Sequence, residues 1–155
     1  MRRRSGYRSD IRTLDIDTQN AVAGIEVAPD DAAGRVLLLE DRDDFREVLR
    51  DHLTGCSYHV TAVRSGVEGL REIMKSRFDI ILCDMMMPRV GGEMFYWAVT
   101  RVRPAAGQRF IFFTGHQNDP AIKFFFQRVK ATVLIKPFKL AELDAVIRDV
   151  LRRVR

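Results

Sequence analysis

With 155 residues, 46% of them hydrophobic, the chain suits one compact domain and leaves no room for a second folded one. A net charge of +5 and a pI near 9.6 invite a nucleic-acid reading, but residues 1–34 hold five Arg against six acids and residues 35–155 hold 21 basic against 15 acidic side chains. Cys56 and Cys83 belong to no C-x-x-C or Cys/His cluster, so their spacing supports neither a zinc site nor a disulfide framework; no run approaches the ~20 apolar residues of a membrane span, and a soluble cytoplasmic protein is expected.

Residues 1–34 open on Arg2, Arg3, Arg4, Arg8 and Arg12, turn acidic from Asp15 to Asp31, and show no sustained period. They read as a flexible extension, and the folded domain is expected over 35–155. No apolar stretch follows the Arg-rich start as an export signal would require.

Arg35–Leu39 is short, apolar and ended by acids, hence a buried strand. Phe45, Val48, Leu49 and Leu53 then make a helical stripe. Tyr58–Val63 is a second strand, and Ser65 with Glu68 three residues on starts a helix carrying Val67, Leu70 and Ile73 or Met74. Asp79–Cys83 is a third strand, and Gly91-Gly92 leads to a helix with Phe95, Val99 and Val102 inward that stops before Pro104. Phe110–Phe113 is a fourth strand, Asp119-Pro120 caps a helix with Ile122, Phe125, Phe126 and Val129 inward, and Thr132–Ile135 is a fifth. Leu140, Leu143, Ile147, Val150 and Leu151 make the last helix. Five β-then-α units imply an α/β fold, doubly wound, its parallel sheet covered on both faces by helices.

In such a sheet ligands bind beyond the carboxyl ends of the strands. Glu40-Asp41, Asp84, Thr114 and Lys136-Pro137 all fall at or just after strand ends, so acids, a hydroxyl and an amine converge on one rim. Singly, each piece has an ordinary reading: acid pairs favour helix starts, the three Met after Asp84 fill gaps, and Lys-Pro-Phe makes a turn. Asp43 and Asp44 are read in that helix-start role, and His52, His59 and His116 as surface or loop residues.

Residues 35–155 resemble a response-regulator receiver domain of two-component signalling. The resemblance rests on Glu40-Asp41 after the first strand, Asp84 in D-M-M-M-P, Thr114-Gly115 after the fourth and Lys136-Pro137-Phe138 after the fifth. Thirty residues separate Asp84 from Thr114 and 22 separate Thr114 from Lys136. It implies a flavodoxin-like five-stranded sheet of order 2-1-3-4-5. Asp84 would accept a phosphoryl group from a histidine kinase or histidine phosphotransfer protein, while Thr114 and Lys136 contact phosphoryl oxygens. Mg2+ would be held by Asp41 and Asp84, with Glu40 nearby or through water and the Met86 backbone carbonyl completing the set. It also implies a cis Lys136–Pro137 bond. Glu40 stands where Asp is commoner, Val133 replaces the usual aromatic switch residue, and Met86 and His116 occupy the positions that tune phosphoryl lifetime.

With the sequence ending at Arg155, signalling is expected by association. Tyr96, Trp97 and Phe124 fall off the inward stripes, and a homodimer or effector is expected on that face. A phosphorylation-independent interaction module on the same fold is the alternative. Nucleic acid as a partner ranks last, because no recognition helix accompanies the basic ends. Self-modification with slow hydrolysis, not turnover as an enzyme, is expected, since Asp84 lies in no D-x-D.

Overall fold

The computed structural model describes Ile16–Asp17 and residues 33–155. The flexible-extension expectation for 1–34 lies otherwise outside the described residues. Five strands, β1 (Gly34–Leu39), β2 (Tyr58–Val63), β3 (Ile80–Asp84), β4 (Phe110–Thr114) and β5 (Thr132–Ile135), form one sheet. They alternate with α1 (Asp43–Gly55), α2 (Gly66–Lys75), α3 (Gly92–Val102), α4 (Pro120–Val129) and α5 (Leu140–Val154). Every pairing is parallel and the order is β2-β1-β3-β4-β5. Ile16–Asp17 pairs in parallel with Phe138–Lys139 as a separate two-residue ladder.

The central strands β3 and β4 are apolar up to their last residues, Asp84 and Thr114, because both faces of the sheet are covered. All residues of β3 and β4 are buried. On one side Val36, Leu38, Leu82 and Phe113 meet α1 and α5 through Phe45, Leu49, Leu143 and Ile147. On the other Leu37, Leu39, Cys83 and Phe112 meet α2, α3 and α4 through Ile73, Phe95, Val99 and Phe125. At about 1.5–3 kcal/mol per fully buried large apolar side chain, these two layers hold the rim in place.

Local signals act as read. The Ser65 hydroxyl accepts from the Glu68 N–H at 3.2 Å, and Glu68 in turn accepts from the Arg64 N–H at 3.0 Å. Asp119 caps α4 by accepting from the N–H of Ala121 and Ile122. Pro104 ends α3, and the chain makes a 3₁₀ turn over Pro104–Arg109 before β4.

The inward stripes need correction in two helices. Val67 and Met74 are exposed, and the buried face of α2 is Gly66, Gly69 and Ile73. The physical reason is close approach: a Cβ on Gly69 would lie 2.6 Å from Leu39 Cδ2 and 2.9 Å from Phe95 Cε1. Glycine, not a large side chain, lets α2 settle between β1 and α3. In α3, Val102 is exposed because the helix ends there, leaving Gly92, Phe95 and Val99 as the buried face. Phe126 and Val129 of α4 are half-buried against their layer.

Candidate functional site at the carboxyl rim

Register decides what meets at the rim. Asp84 is the last residue of β3 and pairs with Phe113, so Thr114 ends β4 one residue further out. Glu40 and Asp41 follow β1, the central neighbour of β3. Lys136 follows β5, its N–H donating to the Thr114 carbonyl at 2.9 Å. Strands β3 and β4 each end one residue later than their apolar runs suggest, so Asp84 and Thr114 are held by the ladder itself.

The carboxylate oxygens of Glu40, Asp41 and Asp84 lie within 4.8 Å of one another. Glu40, Asp84 and Thr114 are buried, whereas Asp41 is half-buried. Lys136 Nζ lies 3.4 Å from Asp84 Oδ2, and the Met86 N–H donates to Asp84 Oδ1 at 3.2 Å. Glu40 Oε1 accepts from the Arg42 N–H at 3.1 Å, while Oε2 is buried without a hydrogen-bond partner. Burial first, then the Asp84 charge, push the Glu40 carboxyl up to about 9. Three carboxyls this close cannot all be ionised without mutual repulsion, so Glu40 keeps its proton, and a hard divalent cation with oxygen preference would replace that proton and relieve the repulsion. Glu40, Asp41 and Asp84 therefore fit such an ion, with the Met86 carbonyl on the exposed loop beside them.

Thr114 Oγ1 accepts from the His116 N–H at 2.9 Å. Its hydroxyl proton can still be donated. Lys136–Pro137 is cis. Sequence reasoning missed the setting of the amine: Lys136 Nζ sits 5.0 Å from the Phe45 ring centroid and 5.4 Å from that of Phe113. The two rings hold the ammonium on the pocket side by cation–π attraction. Phe45 reads as core in the helical stripe, and nothing in its spacing announces the second contact. Also missed, Arg46 Nη1 donates to the Glu40 carbonyl at 2.9 Å and pairs with Asp43, which fixes the loop between β1 and α1. Asp43 and Asp44 occupy the first turn of α1.

The expected association face divides. Trp97 and Phe124 are 40% and 61% exposed, with Arg128 over both rings at 5.4 and 5.6 Å. Tyr96 is instead half-buried, its ring packed edge-on against Phe110 and Phe125 at 5.0 and 5.5 Å. Its length lets it reach the core from beside the stripe. His59 and His116 are exposed, but His52 is not a surface residue and Cys56 does belong to a Cys/His cluster, contrary to their sequence readings: His52 Nε2 lies 2.7 Å from Asp144 Oδ1 and 3.8 Å from Cys56 Sγ, because the fold packs α5 against the end of α1.

A doubly wound parallel sheet with acids, a hydroxyl and an amine at its carboxyl rim defines a flavodoxin-like α/β domain with a charged crevice. The response regulator receiver domain family matches residues 36–148, and the chain belongs to that family. It is 35% identical over 121 residues to the transcriptional activator protein PfeR of Pseudomonas aeruginosa, covering 78% of this chain and 39% of PfeR. Across the first curated relatives the chain spans about half of their length or less. Among solved structures it resembles the chemotaxis protein CheY4 of Vibrio cholerae at 29% identity and a TM-score of 0.64, covering 78% and 98% of the two chains. The receiver domain of sensor histidine kinase PA1611 from Pseudomonas aeruginosa, described with a magnesium ion in its active-site cleft, aligns at 25% identity and a TM-score of 0.67, covering 76% of this chain and 97% of that one. Among the described residues no helix is long and apolar enough to cross a membrane.

Proposed function

We propose that Asp84 accepts a phosphoryl group from the phosphohistidine of a histidine kinase or phosphotransfer protein, with Mg2+ as the cation of the acidic pocket, and that the modified chain signals in the cytoplasm by protein association. The observation that supports this most is the convergence of the Glu40, Asp41 and Asp84 carboxylates within 4.8 Å, with Lys136 Nζ 3.4 Å from Asp84.

One Asp84 carboxylate oxygen forms the new O–P bond while the P–N bond to the donor imidazole breaks. The imidazole keeps the electron pair and takes a proton from water. Lys136 offers its charge to a phosphoryl oxygen from a position already beside the nucleophile, and Thr114 offers its hydroxyl from the neighbouring strand end. The Met86 N–H, already on Asp84 Oδ1, orients the carboxylate. Glu40, Asp41, Asp84 and the Met86 carbonyl would hold Mg2+, which supplies the positive charge that lets an anionic nucleophile meet an anionic donor. Asp84 is followed by Met85, Met86 and Met87, not by an acid two residues on, in keeping with single self-modification and slow hydrolysis in place of turnover. The PA1611 receiver supports the choice of cation by likeness.

A second reading, a phosphorylation-independent interaction module, has one observation in its favour: the half-buried β5 residue beside Phe112 is Val133, which cannot act as an aromatic switch. Intact mass after incubation with Mg2+ and acetyl phosphate separates the two. One added phosphoryl group on the native chain and none on Asp84→Asn supports the first reading. A folded native chain that stays unmodified overturns it.

A further inference from the structure

The second cluster of ligating side chains lies at the other end of α1. His52 and Cys56 are one turn apart, Cys56 capping the helix C-terminus, so both project from one helix face. Asp144 reaches the same point from α5, and the three donor atoms lie within 4.8 Å of one another. This place is distinct from the acidic pocket: His52 is nine residues, about 14 Å of helical rise, along α1 from Asp43.

Asp144 is the informative member. It is only 5% exposed, between Leu143 and Ile147 on the buried side of α5, where an apolar residue would serve the core better. Its carboxylate is hydrogen-bonded to His52 Nε2 at 2.7 Å. An interhelical hydrogen bond alone would account for His52 and Asp144 but leaves Cys56, 3.8 Å from the same nitrogen, without a reason to be a thiol. Desolvation, chiefly, and the Asp144 charge hold the Cys56 thiol above its ordinary value, which argues against a reactive nucleophile.

We propose that His52, Cys56 and Asp144 form a binding site for a borderline divalent cation of the Zn2+ class, three protein ligands with water as the fourth, tying the end of α1 to α5. Imidazole, thiolate and carboxylate are the zinc donor set, and a tetrahedral ion with bonds of about 2.0–2.3 Å separates N from S by about 3.5 Å and N from O by about 3.3 Å. The observed 3.8 and 2.7 Å differ from those spacings by about 0.3 and about 0.6 Å, changes that side-chain rotation can supply. On binding, the S–H bond of Cys56 breaks and its proton goes to buffer. The sulfur pair and the His52 Nε2 pair go to the cation, the imidazole proton residing on Nδ1, and Asp144 exchanges His52 for the ion. Arg148, a turn further along α5, is a positive group acting on the thiol and limits the affinity. The site does not depend on the phosphoryl-transfer reading.

The test is titration of the full reduced chain with Co2+ under excess Mg2+, which keeps the acidic pocket supplied with its preferred ion. The expected result is one equivalent of Co2+ giving sulfur-to-cobalt charge-transfer absorption and visible tetrahedral bands, both erased by Zn2+. Cys56→Ser should lose the charge-transfer band, His52→Gln should weaken binding at least tenfold, and Asp84→Asn should leave both unchanged. Absence of the band from a folded native chain overturns the proposal. So does a band that survives Cys56→Ser, which would point to Cys83, or one lost in Asp84→Asn. Because Asp144→Asn can fail to fold, the decisive variants are those of His52 and Cys56.

Discussion

Replacing Glu40 with Gln probes the acidic pocket through its electrostatics. The Glu40 carboxyl, ordinarily near 4.5, is pushed up to about 9 by burial and by Asp84. Between those values the folded chain holds a proton that the unfolded chain has released, so stability is greatest below about pH 4.5 as far as this group is concerned and falls as pH rises toward 9. The limiting slope is about 1.4 kcal/mol per pH unit, so from pH 5.5 to 7.5 the native chain should lose on the order of 2–3 kcal/mol that the Gln variant keeps. Gln preserves shape and an oxygen to accept from the Arg42 N–H, so the difference between the two chains isolates the charge. Urea unfolding without divalent cation at pH 5.5, 6.5 and 7.5 measures it, with titrating groups remote from the pocket cancelling in the comparison and Asp84, which titrates together with Glu40, included in the difference. Parallel stability–pH lines for native and variant would refute the reasoning. Adding Mg2+ should stabilise the native chain more at pH 7.5 than at 5.5, because the cation must displace that proton, and should do less for the variant.

Lys136→Ala removes the amine beside Asp84, and loss of one charge-assisted contact of about 1.5–3 kcal/mol should slow acetyl phosphate labelling roughly 10- to 150-fold by time-resolved intact mass; an unchanged rate would remove Lys136 from the site. Gly69→Ala places a methyl within 2.6 Å of Leu39 and should cost about 1–3 kcal/mol by chemical denaturation. Gly55→Ala, with nothing within 4 Å of the new Cβ, should be neutral or stabilising by up to about 1 kcal/mol in the same assay. Asp119→Ala deletes the α4 cap and should cost about 1 kcal/mol.

What the sequence makes legible is whatever depends on short-range pattern plus one topological rule. The apolar runs place five strands, right-handed crossovers make them parallel, and parallel strands send Glu40, Asp41, Asp84, Thr114 and Lys136 to one rim without any knowledge of side-chain packing. Periodicity fails where the buried surface is made of absence. It assigns Val67 to the core of α2 because Val is apolar, yet the contact there is so close that only Gly66 and Gly69 fit. Spacing equally hides Tyr96, whose ring enters the core although its Cα stands beside the stripe. His52 and Asp144 are 92 positions apart, and the helices that join them are set by sheet order, not by any local signal. Anticipating that pair would need the packing of α1 on α5, where a charged residue at an otherwise apolar position of α5 is the one clue in the sequence. A buried Asp demands a partner; once α1 is known to be the neighbour, His52 is the polar side chain on its buried side able to supply one, and Cys56 follows from the helical turn.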